Sequence, residues 1–165
     1  MSEEQQQQQP LFGVEKLYLK DMSLEVPNAP EIFLEREAPQ IDVNVHNAAR
    51  ALPQEGLYEV VLTVTVTAKI KDKTMFLVEV AQGGIFQIRN IEQPDLDAVL
   101  GTICPNTLLP YAREAVAGAV WRAGLPPVTL QHMSFELIYQ QRLAELQQQQ
   151  QQQAQQAGTT PPATH

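Results

Sequence analysis

Alternation of apolar and polar positions is the main pattern in the first half of the chain, and it predicts β-strands. The alternation is clearest from Leu57 to Ile70, where valine and leucine side chains share one face and threonines share the other. β-branched residues in strict two-residue alternation favour a strand buried on one face. Lys71–Lys73 then forms a hairpin tip, and a returning strand begins at Thr74. Gly83-Gly84 indicates a bulge or bend before that strand continues.

Two earlier strands are predicted on the same grounds. Val14 to Val26 alternates with a change of phase near Asp21, which indicates a β-bulge there. This strand must end at Pro27, because proline lacks the N–H that a sheet ladder requires. A proline-bounded loop follows through Pro39. A half-exposed second strand comes next, whose apolar positions are Ile41, Val43 and Val45.

The second half of the chain changes to helical spacing. Gln93-Pro94-Asp95 favours a helix start, because a carboxylate suits the positive end of the helix dipole, and we expect Pro105 to interrupt this helix. A second helical run, Thr107 to Ala123, ends at Gly124. Strands followed by helices, without alternation between the two, predict an α+β fold with an antiparallel sheet and helices packed on one face.

A last helix begins near Ser134, which is a good N-cap residue. Its apolar stripe consists of Phe135, Tyr139, Leu143 and Leu146. We expect residues 1–10 to be a disordered Gln-rich tail, because they carry too little apolar surface to offset the entropy of ordering. Residues 147–165 form a Gln/Ala-rich tail, either an extension of the helix or disordered, since glutamine is a fair helix former. The folded domain is expected between residues 11 and 146.

Charge and composition exclude several classes of function. A net charge of -8 argues against nucleic-acid binding and favours basic partners over anionic membranes. Cys104 is the single cysteine, so no internal disulfide forms. The N-terminus has no apolar leader, and no apolar run approaches the roughly 18 residues of a membrane span. We therefore expect a cytoplasmic protein with no direct membrane insertion.

Catalytic chemistry finds little support among the residues. The histidines, His46, His132 and His165, do not stand at metal-ligand spacing, and Cys104 has no companion for a zinc site. The chain has no nucleophile motif and no glycine-rich phosphate loop. We expect no catalytic residue, no bound metal and no cofactor.

Carboxylates on the first and fourth strands are candidates for recognition. In an extended chain Asp21 and Glu25 point to one face, and Glu79 stands in the returning strand. Such acids are ordinarily solvated surface, and the alternative is a docking surface for a basic partner. The returning strand also carries apolar residues on both faces, Phe76, Val78 and Val80 on one and Met75, Leu77 and Ala81 on the other. Since the helices cover one face, a second subunit is expected to cover the other.

A second candidate site combines the second strand with the last helix. Their apolar residues are Ile41, Val43 and Val45 on the strand and Phe135, Ile138, Tyr139 and Leu143 on the helix. They either pack together as core or line a cleft for extended apolar peptide, where main-chain pairing gives affinity without sequence specificity. Both explanations stay open.

Three segments closely resemble the SecB protein-export chaperones when they are taken in order and at these spacings. They are DMSLEVPNAP (21–30), EVAQGGIF (79–86) and CPNTLLPYARE (104–114), and the likeness extends over roughly residues 13 to 146. The resemblance implies an ATP-independent holdase with four-stranded antiparallel sheets, assembled as a homotetrameric dimer of dimers. It implies binding of unfolded precursor proteins and their delivery to SecA, the motor ATPase of the Sec translocase.

The resemblance also assigns roles to residues of this chain. SecA binding falls on Asp21, Glu25, Leu77 and Glu79, and the oligomer interface on Val78, Val80 and Gln82. Client binding falls on Ile41, Val43, Val45, Phe135, Ile138, Tyr139 and Leu143. Glu37 and Arg142 stand where the family pattern has aromatic residues, and the glutamine tail replaces an acidic ending. Two other functions stay open, a related chaperone for a partner such as a toxin–antitoxin pair and a small-molecule-binding enzyme on the same scaffold.

Overall fold

The computed structural model describes residues 9–157, which belong to two compact units, one through His132 and the other from Met133. The first unit contains a four-stranded antiparallel sheet in the order β1-β4-β3-β2. Its strands are β1 (Leu11–Glu25), β2 (Gln40–Ala51), β3 (Leu57–Ile70) and β4 (Lys73–Arg89). The first strand of the chain therefore lies beside the last, and β1 and β2 form the two edges.

Two helices follow the sheet in the first unit, α1 (Asp95–Gly101) and α2 (Ile103–Arg122), and a short 3-10 helix (Glu31–Leu34) lies between β1 and β2. Together with the sheet they confirm the predicted α+β class. α1 starts at Asp95, as predicted. The break after it lies at Thr102 and not at Pro105, which instead occupies the first turn of α2. Proline is tolerated there, because the first N–H groups of a helix have no partner within the helix.

The C-terminus of α2 confirms the predicted stop. Gly124 has a φ of 80°, a conformation that glycine adopts without steric cost. The Gly124 N–H donates to the carbonyl of Trp121, and the Leu125 N–H donates to the carbonyl of Val120. These two bonds form a Schellman motif, which satisfies carbonyl groups that the helix end leaves without partners.

Two irregularities in β1 set the register of its pairing with β4. Lys20 is the extra residue between the pairs Leu19–Gln82 and Asp21–Ala81, so the bulge predicted near Asp21 is confirmed. A second shift occurs between Val14 and Lys16. Because a bulge reverses the phase of side-chain alternation, the residues on either side of it still present their apolar row to the same face.

Of the bulge or bend predicted at Gly83-Gly84, the bulge is wrong, since both glycines pair in regular register with β1 and with β3. The glycines instead leave room for neighbouring side chains. A Cβ on Gly83 would lie 2.5 Å from the Tyr18 ring, and a Cβ on Gly84 would lie 2.7 Å from the Phe86 ring and 3.0 Å from Leu108. Each glycine therefore marks a close approach on its own face of the sheet.

α2 packs on β3 and β4 and covers one face of the sheet, which we call the helix-covered face. Even-numbered residues of β3 and β4 are buried there, including Val60, Leu62, Val64, Val66, Val78, Val80 and Phe86. From α2 they meet Cys104, Leu108, Ala112, Val116 and Val120, which are also buried. The opposite face carries the odd-numbered residues of β3 and β4 and is called the outer face.

The second unit consists of α3 (Phe135–Ala157) and the residues that lead into it. Ser134 caps the helix as predicted, since its Oγ accepts a hydrogen bond from the Leu137 N–H at 3.3 Å. The helix includes the glutamine run as far as Ala157, which lies within the tail predicted at 147–165. Residues 1–8 of the tail predicted at 1–10, and residues 158–165, lie outside the described residues. Within the described range, no helix is long and apolar enough to span a membrane.

Candidate functional site

Sheet register brings the predicted acidic residues together on the outer face. Ser23, which lies between Asp21 and Glu25, pairs with Glu79, and Glu25 pairs with Leu77. The neighbouring strand β3 continues these rows with threonines. Asp21, Glu25, Leu77 and Glu79 therefore form one contiguous surface, which we call the acidic patch.

All three carboxylates of the acidic patch are exposed, and Leu77 between them is half-buried. The Glu79 carboxylate accepts a hydrogen bond from the Thr65 hydroxyl at 3.1 Å. None of the ion pairs among residues 9–157 involves a carboxylate of the patch. The patch therefore presents uncompensated negative charge around one apolar side chain, an arrangement suited to a basic partner.

The same register adds a carboxylate that sequence reasoning missed. The row from Glu25 and Leu77 continues through Thr67 of β3 to Asp42 of β2, which is also exposed. Three strand spacings separate the ends of this row, a distance of about 14 Å. Only the pairing of β2 with β3 reveals this neighbour, because Asp42 lies in a separate segment of the sequence.

A buried carboxylate, Glu59, lies at the other end of the outer face and is 6% exposed. It binds the Lys20 ammonium at 2.8 Å and the Arg50 Nε at 2.6 Å, and it accepts a hydrogen bond from the Tyr18 hydroxyl. These four residues, the Glu59 cluster, come from β1, β2 and β3. Tyr18 crosses β4 above Gly83, where any Cβ would meet its ring.

The cluster changes the acidity of its members. Hydrogen bonds from Lys20 and Tyr18 lower the pKa of Glu59 to about 2, against the opposing effect of burial. Burial, followed by the hydrogen bond to Glu59, raises the pKa of Tyr18 to about 12. Glu59 is therefore a carboxylate and Tyr18 a neutral phenol near neutral pH, so the cluster holds fixed charges and donates no labile proton.

The predicted client-binding residues of β2 lie at an edge of the helix-covered face. Ile41 and Val43 are 47% and 38% exposed, while Val45 is half-buried. A concavity of about 620 Å³ surrounds the start of the strand and is lined by Gln40, Ile41, Asp42, Thr67 and Lys69. As an edge strand of the described sheet, β2 thus offers backbone groups that have no strand partner on one side, together with apolar side chains.

The predicted client-binding residues of α3 belong to the second unit. Phe135 is buried, Tyr139 is half-buried, and Ile138 and Leu143 are exposed. Arg142, which departs from the family's aromatic pattern, is exposed on the same helix. A shared groove between these residues and β2 stays a prediction.

The predicted interface residues of β4 lie in the core of the first unit. Val78 and Val80 are 0% exposed and Gln82 is 5% exposed, all on the helix-covered face. They therefore face α2 within their own chain. Their role in assembly stays a prediction, and it would act through the packing of β4 and not through direct contact.

The loop between β1 and β2 presents two further apolar residues that sequence reasoning passed over. Ile32 anchors the loop and is buried, whereas Phe33 and Leu34 are exposed. Glu37 pairs with Lys71 at 2.9 Å and so ties the loop to the β3–β4 turn. The apolar run Ile32–Leu34 between prolines was the available signal, since its three residues cannot all be buried on one turn of a 3-10 helix.

Two further chemical questions concern the reactivity of Cys104 and the presence of a metal-binding cluster. Burial raises the pKa of the Cys104 thiol to about 12, which keeps it protonated and unreactive. Among the residues that the structure describes, no group of three or more histidine, cysteine or acidic side chains is placed to hold a metal ion.

Comparison with known proteins finds a matching family model and relatives of similar sequence. The family model described as preprotein translocase subunit SecB matches residues 5–149. The Protein-export protein SecB of Methylobacillus flagellatus is 58% identical over 148 residues, which covers 88% of this chain and 94% of that protein. The corresponding protein of Neisseria meningitidis is 55% identical over 143 residues, 86% of this chain and 95% of its own length.

A solved structure has a similar fold at low sequence identity. It is a SecB-like chaperone of Mycobacterium tuberculosis in complex with a ChAD peptide from the HigA1 antitoxin, with a TM-score of 0.63 and 20% identity. The match covers 74% of this chain and 91% of that one, and it indicates the fold alone. With the family model matching most of its length and relatives above half identity, this chain belongs to the SecB family of preprotein translocase subunits.

Proposed function

We propose that this protein is an ATP-independent chaperone that holds unfolded precursor proteins in the cytoplasm and delivers them to SecA. It acts as a binding protein and not as an enzyme. One observation carries the proposal: the register of the sheet assembles the acidic patch on an open face of a chain 58% identical to a protein-export protein. The export relatives are far more similar than the antitoxin-binding chaperone, so we propose general export and not toxin control.

SecA docking is proposed for the acidic patch, Asp21, Glu25, Leu77 and Glu79. Its carboxylates are exposed and take part in none of the ion pairs among the described residues, and Leu77 supplies an apolar contact at the centre. Uncompensated charge steers a basic partner and raises its rate of association. Such a contact weakens with salt, because ions screen exposed charges over about 10 Å at 0.1 M.

Client binding is proposed for the apolar residues of β2 and α3 that remain exposed in the single chain. Ile41 and Val43 lie at a sheet edge, and Ile138 and Leu143 lie on α3. Burial of apolar surface supplies about 25 cal/mol per Å², and pairing with the backbone of β2 supplies hydrogen bonds independent of client sequence. Both terms suit a protein that holds many different unfolded chains.

Assembly into a dimer of dimers is supported by the edge strand β1. Within residues 9–157 its strand partner is β4, so N–H and C=O groups on its opposite edge have no strand to pair with. Apolar side chains along this strand stay exposed, namely Leu11, Phe12, Val14, Leu19 and Met22. An exposed apolar edge is an aggregation hazard that pairing with a second copy removes.

SecA binding by the double variant Asp21→Ala/Glu79→Ala tests the docking surface. We expect its Kd for SecA at low salt to rise about tenfold or more, since each lost charged contact costs about 1 kcal/mol. Glu55→Ala/Glu92→Ala is the matched control, because it removes two exposed acids from loops outside the patch. Equal Kd values for wild type and the Asp21/Glu79 variant would contradict the docking assignment.

Aggregation of a chemically unfolded precursor, followed by light scattering without ATP, tests the holdase activity. We expect suppression at a stoichiometric amount of chaperone. Ile41→Ser/Val43→Ser should weaken suppression while SecA binding stays at the wild-type value, since the changes spare the acidic patch. Full aggregation in the presence of wild-type protein would contradict the holdase proposal. Analytical ultracentrifugation that detected monomer alone would contradict the proposed assembly.

A further inference from the structure

The Glu59 cluster and the acidic patch share the outer face, and two consecutive residues link them. Lys20 binds Glu59 at 2.8 Å, and the next residue, Asp21, belongs to the patch. Lys20 is the extra residue of the β1 bulge, so its side chain reaches the same face of the sheet as that of Asp21. A basic side chain thus lies beside a surface whose proposed partner is basic.

We propose that Glu59 is a positioning residue for docking: its carboxylate binds Lys20 and Arg50 and so keeps the Lys20 ammonium away from the acidic patch. This role rests on the proposed SecA docking, since it concerns how much negative charge that surface presents. Without Glu59, the ammonium of a flexible lysine competes with the partner's cations for Asp21 and Glu79. With Glu59, one buried anion and two cations form a closed set beside the patch.

Three hydrogen-bonding partners and burial hold the Glu59 carboxylate where it binds Lys20. The Arg50 Nε binds Oε2 at 2.6 Å, while Lys20 Nζ and the Tyr18 hydroxyl bind Oε1. Both carboxylate oxygens are therefore engaged, and the side chain is 8% exposed. Tyr18 reaches Glu59 only because Gly83 leaves its ring room to cross β4.

Lys20 retains the freedom to move if this anchor is lost. Its side chain is 45% exposed and ends in a strongly hydrated ammonium on a flexible four-carbon stem. Asp21 is its neighbour in sequence, and Glu79 lies in the adjacent strand, near Ser23. Released from Glu59, the ammonium gains energy by approaching either carboxylate, because no other cation among the described ion pairs occupies them.

SecA binding by Glu59→Gln is the direct test, with Glu55→Gln as a control that removes one exposed charge elsewhere. We expect Glu59→Gln to raise the Kd for SecA about fivefold at low salt, and Glu55→Gln to change it by less than about twofold. The slope of log Kd against log salt should fall for Glu59→Gln, since fewer patch carboxylates remain for the partner. A purely structural role would leave that slope unchanged.

Rescue by a second substitution separates charge from structure. Lys20→Gln/Glu59→Gln removes the released ammonium along with the anchor, so we expect a Kd within about twofold of wild type. Circular dichroism and sedimentation velocity verify that each variant is folded and assembled. If Glu59→Gln does not fold, Glu59→Asp takes its place, because a side chain shorter by one methylene withdraws the carboxylate from Lys20 and should raise the Kd in the same direction.

The possible results separate the positioning role of Glu59 from the docking function of the acidic patch. Equal Kd values for Glu59→Gln and Glu55→Gln overturn the positioning role. A weakened Glu59→Gln that Lys20→Gln does not restore also overturns it, since the loss then comes from altered structure. An unchanged Kd for Asp21→Ala/Glu79→Ala removes the docking function itself, whatever the Glu59 variants do.

Discussion

The two faces of the sheet are made by alternate residues of the same strands, yet different forces hold them. On the helix-covered face, β3 and β4 present valines, leucine and phenylalanine that are buried beneath α2. On the outer face, the same strands present threonines, Glu59 and Glu79, whose hydrogen bonds and ion pairs cross from strand to strand. Close packing limits which side chains the helix-covered face accepts. On the outer face, the positions of the charged side chains determine which partner the face can bind.

The largest expected difference comes from placing a charge on each face at adjacent positions. Val64→Asp puts a carboxylate at a site that is 0% exposed and without a basic partner, so we expect a loss of about 4 kcal/mol or more and little folded protein. Thr63→Asp, its neighbour on the half-exposed outer face, should cost about 1 kcal/mol. Urea denaturation followed by circular dichroism measures both. Similar losses would contradict the division between the faces.

Glu59 makes the stability of the outer face depend on pH. Its folded-state pKa, about 2, lies below its ordinary value of 4.5, so its contribution is complete above that value and is lost as the pH falls through about 2. The contribution is on the order of 3 kcal/mol near neutral pH. The difference in unfolding free energy between wild type and Glu59→Gln should therefore narrow from pH 5 towards pH 2, measured at a fixed protein concentration.

Asp42→Asn is the control for this pH dependence. Asp42 is exposed and takes part in none of the ion pairs found within residues 9–157. The difference between wild type and this variant should stay nearly constant over the same range. A constant difference for Glu59→Gln as well would contradict the assignment of the acid-sensitive stability to the Glu59 cluster.

Adjacent glycines give a comparison of close packing on the two faces. Gly84→Ala directs a methyl group at Phe86 and Leu108 in the core, and we expect a loss of about 2 kcal/mol. Gly83→Ala meets the far end of the Tyr18 ring, which can turn towards solvent, so its cost should be about 1 kcal/mol. Thermal denaturation of the two variants measures both losses of stability. A larger loss for Gly83→Ala than for Gly84→Ala would contradict the expected order.

The smallest effect is expected at the loop, outside both faces. Lys71 and Glu37 form an ion pair at 2.9 Å, but their side chains are 71% and 55% exposed. Water and salt screen such a pair, so Lys71→Gln should leave the denaturation midpoint unchanged. A shift comparable with that of Glu59→Gln would mean that exposure does not distinguish the ion pairs of this protein.

The sequence predicts the elements of the sheet well because binary patterns are strong in its central strands. Leu57–Ile70 alternates over most of its length, with Leu57 and Val61 as apolar exceptions on the threonine face, and it is the full extent of β3. The phase change near Asp21 correctly located a bulge, since an inserted residue necessarily shifts the alternation. The predicted interruption at Pro105 was wrong, because proline is compatible with the first turn of a helix as well as with a break between helices.

Binary patterns do not predict contacts between residues that are distant in the sequence. In the sequence, the pair Gly83-Gly84 is typical of an irregular strand. The structure explains the two glycines differently, because the rings of Tyr18 and Phe86 occupy the space that a Cβ would need. Glu59 had the appearance of an ordinary polar residue on the outer face of β3. Its burial depends on side chains from β1 and β2, whose pairing partners a single strand does not specify.

Strand order has a consequence for how the protein is made. β1 is synthesised before the other three strands of the sheet, but its partner among the described strands is β4, so Asp21 and Glu25 cannot join Leu77 and Glu79 until all four strands have been synthesised. Pairings so distant in sequence form late, because closing a long loop costs entropy before any contact compensates for it. An unfinished chain would therefore lack the composite surface, and under the proposed docking SecA would recognise only molecules that have completed their own folding.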